Sequence, residues 1–216
     1  MLAYANSRNV SVLNEPDAAS RHHASLFSPC QQTIYFPAGA EIYAQGEAAG
    51  YVYQVVFGAV RVYRLMADGR RQISAFHLSG EIFGFEADPT HRFFAEAINA
   101  AGIRKFSLAS CEEMSRELLP LALRSLIRTQ DHLLVLGRQA AAERVAAFLL
   151  NMAERQGGTS RIDLPMPRMD IGDYLGLAIE TVSRVFSMFR ETGAIRLHGL
   201  RSVEILRWDI LQNLSD

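Results

Sequence analysis

Short apolar runs recur between residues 33 and 108, and they are rich in β-branched and aromatic side chains. Glycine-containing turn signals separate these runs, and Asp68-Gly69 lies between two of them as in a β-hairpin. Short runs at this spacing are typical of an antiparallel barrel or sandwich and argue against parallel βαβ units. The mixed, polar residues 1–28 are expected to form an N-terminal arm.

The pattern becomes helical after Pro120, a residue that suits the first turn of a helix. Apolar and small residues then recur at alternating spacings of three and four, which predicts one long helix over residues 118–142. This stripe consists of Leu119, Ala122, Leu126, Thr129, Leu133, Leu136 and Ala140. A second stripe through Leu123, Gln130 and Gly137 has almost as regular a helical spacing. One stripe can therefore pack on the β domain and the other on a partner helix. We therefore predict a homodimer interface here, with a core helix that only covers a sheet as the alternative.

A second helical module follows Pro167. It consists of a short helix, Gly176 as a turn residue, and a second helix predicted over residues 178–191. The apolar positions of both helices have helical spacing: Ile171, Tyr174, Leu175, Val182, Val185, Phe186 and Phe189. Two short helices joined by a glycine-containing turn form the helix-turn-helix pattern, which many αα-hairpins share.

The first two turns of the second helix carry a polar face made of Glu180, Thr181, Ser183 and Arg184. Recognition helices present these turns to the major groove. Arg can donate two hydrogen bonds to guanine, Glu can accept from cytosine N4, and Ser can bond several base edges beside a thymine methyl. We therefore predict that Glu180, Ser183 and Arg184 read base edges of double-stranded DNA. The alternative is a solvated face with a Glu180–Arg184 pair worth about 0.2–0.5 kcal/mol.

The segment after this helix, residues 194–206, has the alternation of a β-hairpin with His198 and Arg201 at its tip. A basic hairpin in this position is typical of a wing that contacts phosphate groups. Together with Arg168 and Thr181, these two residues are the candidate contacts to the DNA backbone.

The 216 residues fit one large domain or two small ones, and the net charge of -1 argues against nonspecific coating of nucleic acid. DNA binding is still compatible with this charge, since arginines need only cluster on one face.

No apolar run could span a membrane, and residues 1–20 lack the apolar core of a secretory signal. With only Cys30 and Cys111 present, we expect a reduced, cytoplasmic location. Both thiols are candidate redox switches, but no charge cluster favours a lowered thiol pKa, so inert thiols are the preferred interpretation.

Residues 171–184 resemble the helix-turn-helix of the Crp/Fnr superfamily of bacterial transcription regulators, and the spacing Glu-x-x-Ser-Arg is similar to its Fnr and FixK branches. Residues 68–73 and 76–85 resemble that family's β-roll, and residues 142–149 the end of its dimer helix. The resemblance runs from about residue 30 to the C-terminus.

The resemblance implies an α+β fold with an N-terminal antiparallel β-roll (a double-stranded β-helix), a long dimerisation helix and a C-terminal winged helix-turn-helix. The expected division is a cyclic-nucleotide-binding-like sensor domain over residues 29–117 after the arm, the dimerisation helix over residues 118–142, and the DNA-binding domain over residues 143–216.

The resemblance also implies a homodimer that binds a palindrome similar to TTGAT-N4-ATCAA. Glu180 and Arg184 would then contact its G·C pair, and Ser183 would lie near a thymine. Activation by contact with RNA polymerase, at genes for low-oxygen or nitrogen-fixation metabolism, follows from the same resemblance. The residues themselves leave activation or repression open.

The sequence argues against the effectors known in the family. An iron–sulfur cluster needs four thiolates, and Arg104 stands where a central ligand is expected. A cyclic nucleotide needs a carboxylate and an Arg-Ser pair, whereas residues 84–93 keep one Arg and place Phe85 and Phe93 at the other positions. Haem ligands would have to come from isolated histidines: His22, His23, His77, His91 and His132. We therefore expect a regulator without cofactor, as in FixK-type proteins that lack the cluster cysteines, with haem or another small ligand as the alternative.

Two other classes of protein are alternatives to a transcription regulator. A cupin-type metal enzyme needs clustered His and carboxylate ligands, but the β region has only His77 and His91 and no His-x-His pair. We therefore expect neither enzymatic activity nor a bound metal. A protein–protein adaptor whose helix-turn-helix does not contact DNA is the third interpretation.

Overall fold

The computed structural model describes residues 32–107, 112–138 and 140–215, with backbone alone over residues 112–117. The predicted arm, Cys30, Cys111, His22 and His23 lie outside these described residues.

Eight short strands form the N-terminal half of the described chain. They are β1 (Ile34–Phe36), β2 (Glu41–Tyr43), β3 (Tyr51–Phe57), β4 (Ala59–Leu65), β5 (Arg71–Leu78), β6 (Ile82–Phe83), β7 (Phe94–Ala97) and β8 (Ala101–Ser107). Two antiparallel sheets result, with strand orders β1-β8-β3-β6 and β2-β7-β4-β5. Asp68-Gly69 forms the turn between β4 and β5, where Gly69 has the positive φ of 81° that favours glycine. The predicted antiparallel β-roll and its hairpin are therefore present.

The long helix is displaced relative to the prediction over residues 118–142. Helix α1 spans Glu112–Leu136, and α2 spans Ala141–Arg155. The helix stops because Gly137 lies in a turn and Ala140 has an extended backbone (φ -87°, ψ 140°). Ala140 is therefore the N-cap of α2. The prediction that Ala140 belongs to the dimer stripe of the long helix is wrong. Its backbone N–H donates to the carboxylate of Glu143 at 3.4 Å.

The C-terminal half consists of α2 and the following elements: β9 (Arg161–Asp163), α3 (Arg168–Leu175), α4 (Ile179–Glu191), β10 (Ile195–Leu197), β11 (Ser202–Ile205) and α5 (Trp208–Ser215). Strands β10, β11 and β9 form one antiparallel sheet, in which the predicted hairpin is β10–β11. Strand β9 and helix α5 were not identified from the sequence. None of the described helices is long and apolar enough to cross a membrane.

One of the two hydrophobic clusters of the described residues joins this half to the β-roll. Ile73 and Phe76 of β5 are buried together with Phe148 of α2 and Ile171 of α3. The face of α3 that packs away from solvent is thus seated on the β-roll, which leaves α4 on the outside of the molecule.

Candidate nucleic-acid interface

The turn between α3 and α4 depends on two glycines. Gly176 ends α3 in the left-handed conformation (φ 65°, ψ 38°), as expected for a turn residue. Gly172 lies inside α3, where a Cβ would come within 2.5 Å of the carbonyl oxygen of Leu177. The backbone N–H of Leu177 donates to the carbonyl of Gly172 at 3.0 Å, so the two segments are in direct contact. Gly172 was not singled out from the sequence, although a glycine inside a helical pattern is itself a signal of close packing.

Helix α4 has a buried apolar face and an exposed polar face. Val182, Phe186 and Phe189 are buried, which turns the opposite side towards solvent. Glu180, Ser183 and Arg184 are exposed on that side, and Thr181 is half-buried. The structure therefore brings the three predicted base-reading side chains together on one accessible surface.

The predicted alternative for this surface, an ion pair between Glu180 and Arg184, is not formed within the described residues. Arg184 instead donates from Nε to the backbone carbonyl of Glu180 at 3.4 Å, a long hydrogen bond. The Glu180 carboxylate and the terminal nitrogens of Arg184 consequently keep their hydrogen-bonding capacity. Ile179, which was not singled out from the sequence, is also exposed beside them and can contact a thymine methyl.

The two basic residues predicted at the tip of the wing differ in their accessibility, because one of them already has an acidic partner. His198 lies 2.9 Å from a carboxylate oxygen of Glu204, which also accepts from Arg196 at 3.0 Å. The hydrogen bond with His198 is the main reason that the pKa of Glu204 is lowered. Arg201 is exposed at the tip beside Leu200, whose side chain is 90% exposed. Arg201 is thus the better presented of the two predicted wing contacts.

Arg168 does not extend freely into solvent. Its guanidinium carbon lies 3.5 Å from the centre of the Phe186 ring, a cation–π arrangement. Its Nη1 atom is buried and has no hydrogen-bond partner in the described chain. Burial lowers the pKa of Arg168 to about 10, so the side chain remains charged at neutral pH. It lies in a cleft between α4 and the wing, together with Ser183, Ser187 and Arg201.

The predicted dimer stripe is mostly uncovered. Leu119, Leu126 and Leu133 are 59%, 52% and 62% exposed, and Leu123 of the second stripe is also exposed. The rest of the predicted stripe on α1 consists of exposed Thr129 and of Ala122 and Leu136, which are half-buried.

The two predicted stripes therefore merge into one broad surface, which we call the apolar band: Leu119, Leu123, Leu126, Ile127, Leu133 and Leu134. The opposite side of α1 is covered by the same chain. His132 on that side is buried and stacks on Tyr174 of α3, with ring centres 3.8 Å apart.

The interior of the β-roll is filled by aromatic rings. Tyr43 and Tyr53 lie 5.3 Å apart, Tyr53 and Phe83 also 5.3 Å, and His91 stacks on Tyr43 at 3.7 Å. Burial is the main cause that raises the pKa of Tyr53 to about 12. Arg92, the arginine retained in the segment that resembles a phosphate site, is exposed and lies 3.6 Å from Asp88.

The described histidines that were candidate haem ligands have packing roles. His77, His91 and His132 are all buried, and each stacks on an aromatic ring. Among the described residues, no group of three or more His, Cys, Asp or Glu side chains is placed to hold a metal ion.

A cavity of about 70 Å³ lies where β5, α1, α2 and α3 meet, and it is lined in part by His77 and His132. Neither Nδ1 atom of these two histidines has a hydrogen-bond partner in the described chain.

Comparisons with known proteins identify both halves. Residues 143–214 match the Crp-like helix-turn-helix domain, and residues 33–98 match the cyclic nucleotide-binding domain. The chain is 52% identical over 193 residues to the nitrogen fixation regulation protein FixK of Rhizobium meliloti (strain 1021), which covers 89% of this chain and 91% of that protein. It is 43% identical to the protein of the same name in Azorhizobium caulinodans (83% and 77% covered).

A solved structure shows the same fold. FixK2 from Bradyrhizobium japonicum superposes with a TM-score of 0.81 at 43% identity, over 86% of this chain and 98% of that one. The α+β architecture predicted from the sequence is confirmed. The chain belongs to the FixK-like group of the Crp/Fnr family of transcription regulators and not to a family of enzymes.

Proposed function

We propose that this protein acts as a homodimer that reads a palindrome similar to TTGAT-N4-ATCAA in double-stranded DNA. The observation that carries the proposal is the exposed face of α4, on which Glu180, Ser183 and Arg184 lie together without an ion pair. In each half-site, Arg184 donates to guanine O6 and N7 and Glu180 accepts from cytosine N4 of the same pair. Ser183 lies beside a thymine.

The apolar band of α1 is the proposed dimer interface. Large apolar side chains that stay exposed in a contiguous stripe favour association, because burying them removes apolar surface from water. A dimer that reads both halves of a palindrome needs its two copies of α4 about 34 Å apart, one turn of DNA, and a twofold axis through the band is the proposed way to achieve this. This spacing suits a palindrome whose halves are read from the same side.

Phosphate contacts would fix the register of each half. Arg201 is exposed at the tip of the wing, and Thr181 is half-buried in the first turn of α4. His198 is proposed to exchange Glu204 for a phosphate. Arg168 lines the cleft between α4 and the wing, and its charged guanidinium would attract a phosphate that enters there. Such contacts position the protein without reading sequence.

Regulation without a small ligand is part of the proposal. It is supported by the aromatic filling of the β-roll, where Tyr43, Tyr53, Phe83 and His91 occupy the interior.

The names of the FixK relatives support a role in genes for nitrogen fixation, and a role in low-oxygen metabolism is proposed with it. We propose activation through contact with RNA polymerase in the cytoplasm. The proposed domains are a β-roll sensor that ends before α1, α1 (Glu112–Leu136) as the dimerisation helix in place of residues 118–142, and a DNA-binding domain over residues 143–216.

The test is a titration of fluorescent duplexes with protein purified without added ligand. A TTGAT-N4-ATCAA duplex should bind more tightly than a scrambled duplex of equal length, and both affinities should fall as salt rises. Equal affinity for the two duplexes would reject sequence-specific reading, and the absence of binding to either would favour the adaptor interpretation.

A further inference from the structure

An ion-pair network joins the β-roll to α3, the first helix of the DNA-binding module. The carboxylate of Asp170 is fully buried, and each of its oxygens has a different arginine partner. Arg61 of β4 donates to one oxygen at 2.6 Å, and Arg71 of β5 donates to the other at 2.5 Å. Arg71 also donates twice to Asp173 of α3, from Nε at 3.0 Å and from Nη2 at 2.8 Å.

Further contacts hold the two arginines in place. Glu96 of β7 accepts from Arg61 at 2.5 Å, and the guanidinium of Arg71 lies 5.5 Å from the centre of the Tyr63 ring. The side chain of Gln72 donates to the backbone carbonyl of Asp173 at 2.7 Å. Side chains of three neighbouring strands, β7, β4 and β5, thus form a network of hydrogen bonds and ion pairs with a single turn of α3.

We infer that Arg61 and Arg71 are positioning residues for DNA reading: through Asp170 and Asp173 they fix the orientation of α4 on the β-roll. The inference rests on the proposed function. Helix α4 follows α3 after a three-residue turn that Gly172 and Gly176 keep tight, so the two helices move together. In a dimer built on α1, the angle between β-roll and α3 then sets the distance between the two copies of α4.

The geometry favours a fixed orientation over a general stabilising role. Two arginines that share both oxygens of one buried carboxylate tolerate little rotation of α3, because any rotation leaves a buried charge without a partner. Helix α2 is tied to the β-roll separately, since Arg155 donates to Glu81 at 2.7 Å. Loss of Arg71 should therefore loosen the orientation of α3, which Arg61 and Gln72 still tether, while the tie between Arg155 and Glu81 is kept.

The test measures spacing selectivity in the full-length protein. Duplexes carry identical half-sites separated by three, four or five base pairs, and the affinity ratio between the preferred and the altered spacing is compared for parent and variants. Arg71→Gln is the main variant. Arg70→Gln is the matched control, because Arg70 is the exposed neighbour and the substitution removes the same charge. Among the described residues, Arg70 forms an ion pair only with Asp68.

We expect Arg71→Gln to lower the spacing ratio about tenfold, a size typical of coupling between two parts of a protein. Selectivity for the bases within each half-site should be kept, and Arg70→Gln should keep the parent's ratio. A residue that only stabilised the fold would lower the unfolding temperature and leave the spacing ratio unchanged.

A folded Arg71→Gln protein with the parent's spacing ratio overturns the inference and leaves the proposed function intact. If the parent itself binds no palindrome, the proposed function fails and the inference fails with it. If Arg71→Gln does not fold, Asp173→Asn decides the question. Asp173 is only half-buried, and the substitution weakens one of the two ion pairs of Arg71. A smaller fall in the ratio supports the inference, and an unchanged ratio overturns it.

Discussion

Two helices of this protein each keep one face exposed after the chain has folded, and the two faces differ in chemistry. On α1 the exposed face is apolar, with Leu119, Leu126 and Leu133 more than half exposed. On α4 the exposed face is polar and carries Glu180 and Arg184. An apolar face is buried by contact with any other apolar surface. A face of hydrogen-bond donors and acceptors requires a partner with a complementary hydrogen-bonding pattern.

The inner faces of the same helices are covered within one chain. His132 on α1 stacks on Tyr174 of α3, and Phe186 on α4 is buried beside Arg168. Substitutions on either outer face should therefore change association or DNA reading without disturbing the core. The two functions can be separated by mutation if each outer face serves the partner proposed for it.

The largest effect is expected when charge is placed in the apolar band. Leu126→Glu combined with Leu133→Glu should weaken self-association by about 3 kcal/mol or more, since like charges brought together across an interface cost several kcal/mol. Sedimentation over a concentration series measures it. Leu65→Glu is the control, because Leu65 is equally exposed but lies on β4 outside the band. A double variant that remains as dimeric as the control would contradict the assignment of the band.

The next effect concerns the turn that supports α4. Gly172→Ala should destabilise the protein by about 3 kcal/mol, at the upper end of the overpacking range, because the new Cβ would meet the carbonyl oxygen of Leu177. Urea unfolding measures the loss. Gly50→Ala is the matched control, since a Cβ there meets nothing within 4 Å. If both variants unfolded at the same urea concentration, the close approach would be absent.

A smaller and more selective effect is expected on the polar face itself. Arg184→Ala should cost about 2 kcal/mol of DNA binding and relax selectivity at one base pair, while the dimer persists. Affinities for duplexes with each substitution in the half-site give both quantities. Arg190→Ala serves as the comparison, because Arg190 is exposed on the same helix but at its far end. Unchanged selectivity in Arg184→Ala would remove Arg184 from the reading face.

The effect expected to be smallest at neutral pH is a pH dependence of stability that arises from two buried histidines, His132 on α1 and His77 on β5. Burial lowers the pKa of His132 to about 4, and burial is also the main cause that lowers the pKa of His77 to about 4. Between pH 6.5 and 4 the unfolded chain binds protons that the folded chain does not, so stability falls as pH falls through this window. Each histidine contributes up to about 1.4 kcal/mol per pH unit.

His132→Phe keeps a ring against Tyr174 and should make that fall shallower, as thermal unfolding between pH 7 and 4 would show. Gln212→Phe is the control, because it introduces the same ring at an exposed position of α5 and removes no titratable group. If His132→Phe and the parent lost stability in parallel, His132 would not be a source of the pH dependence.

Local patterns in the sequence were sufficient for most of the fold. Turn signals such as Asp68-Gly69 and the helical spacing of Val182 and Phe186 correspond to contacts between near neighbours in the chain. The end of α1 was harder to locate, because the apolar spacing continues through Gly137 to Ala140 while the backbone does not. Helix continuity is decided by backbone dihedrals that a side-chain pattern does not report.

Long-range polar contacts were beyond the reach of pattern analysis. Asp170 pairs with Arg61 and Arg71, which are about a hundred positions away in the sequence, so nothing local marks the three residues as partners. Similarly, the burial of Arg168 under Phe186 depends on how α3 crosses α4. The polar face of α4 was predictable because its residues are close in sequence as well as in space.

Selection of bound sites from random duplexes tests the central claim most directly, with protein purified in air and without added ligand. The account predicts enrichment of a palindrome similar to TTGAT-N4-ATCAA, with both half-sites present at one fixed spacing. Enrichment of no common sequence, of a single half-site, or of the palindrome only after a small molecule is supplied would contradict a ligand-independent, twofold reader of DNA.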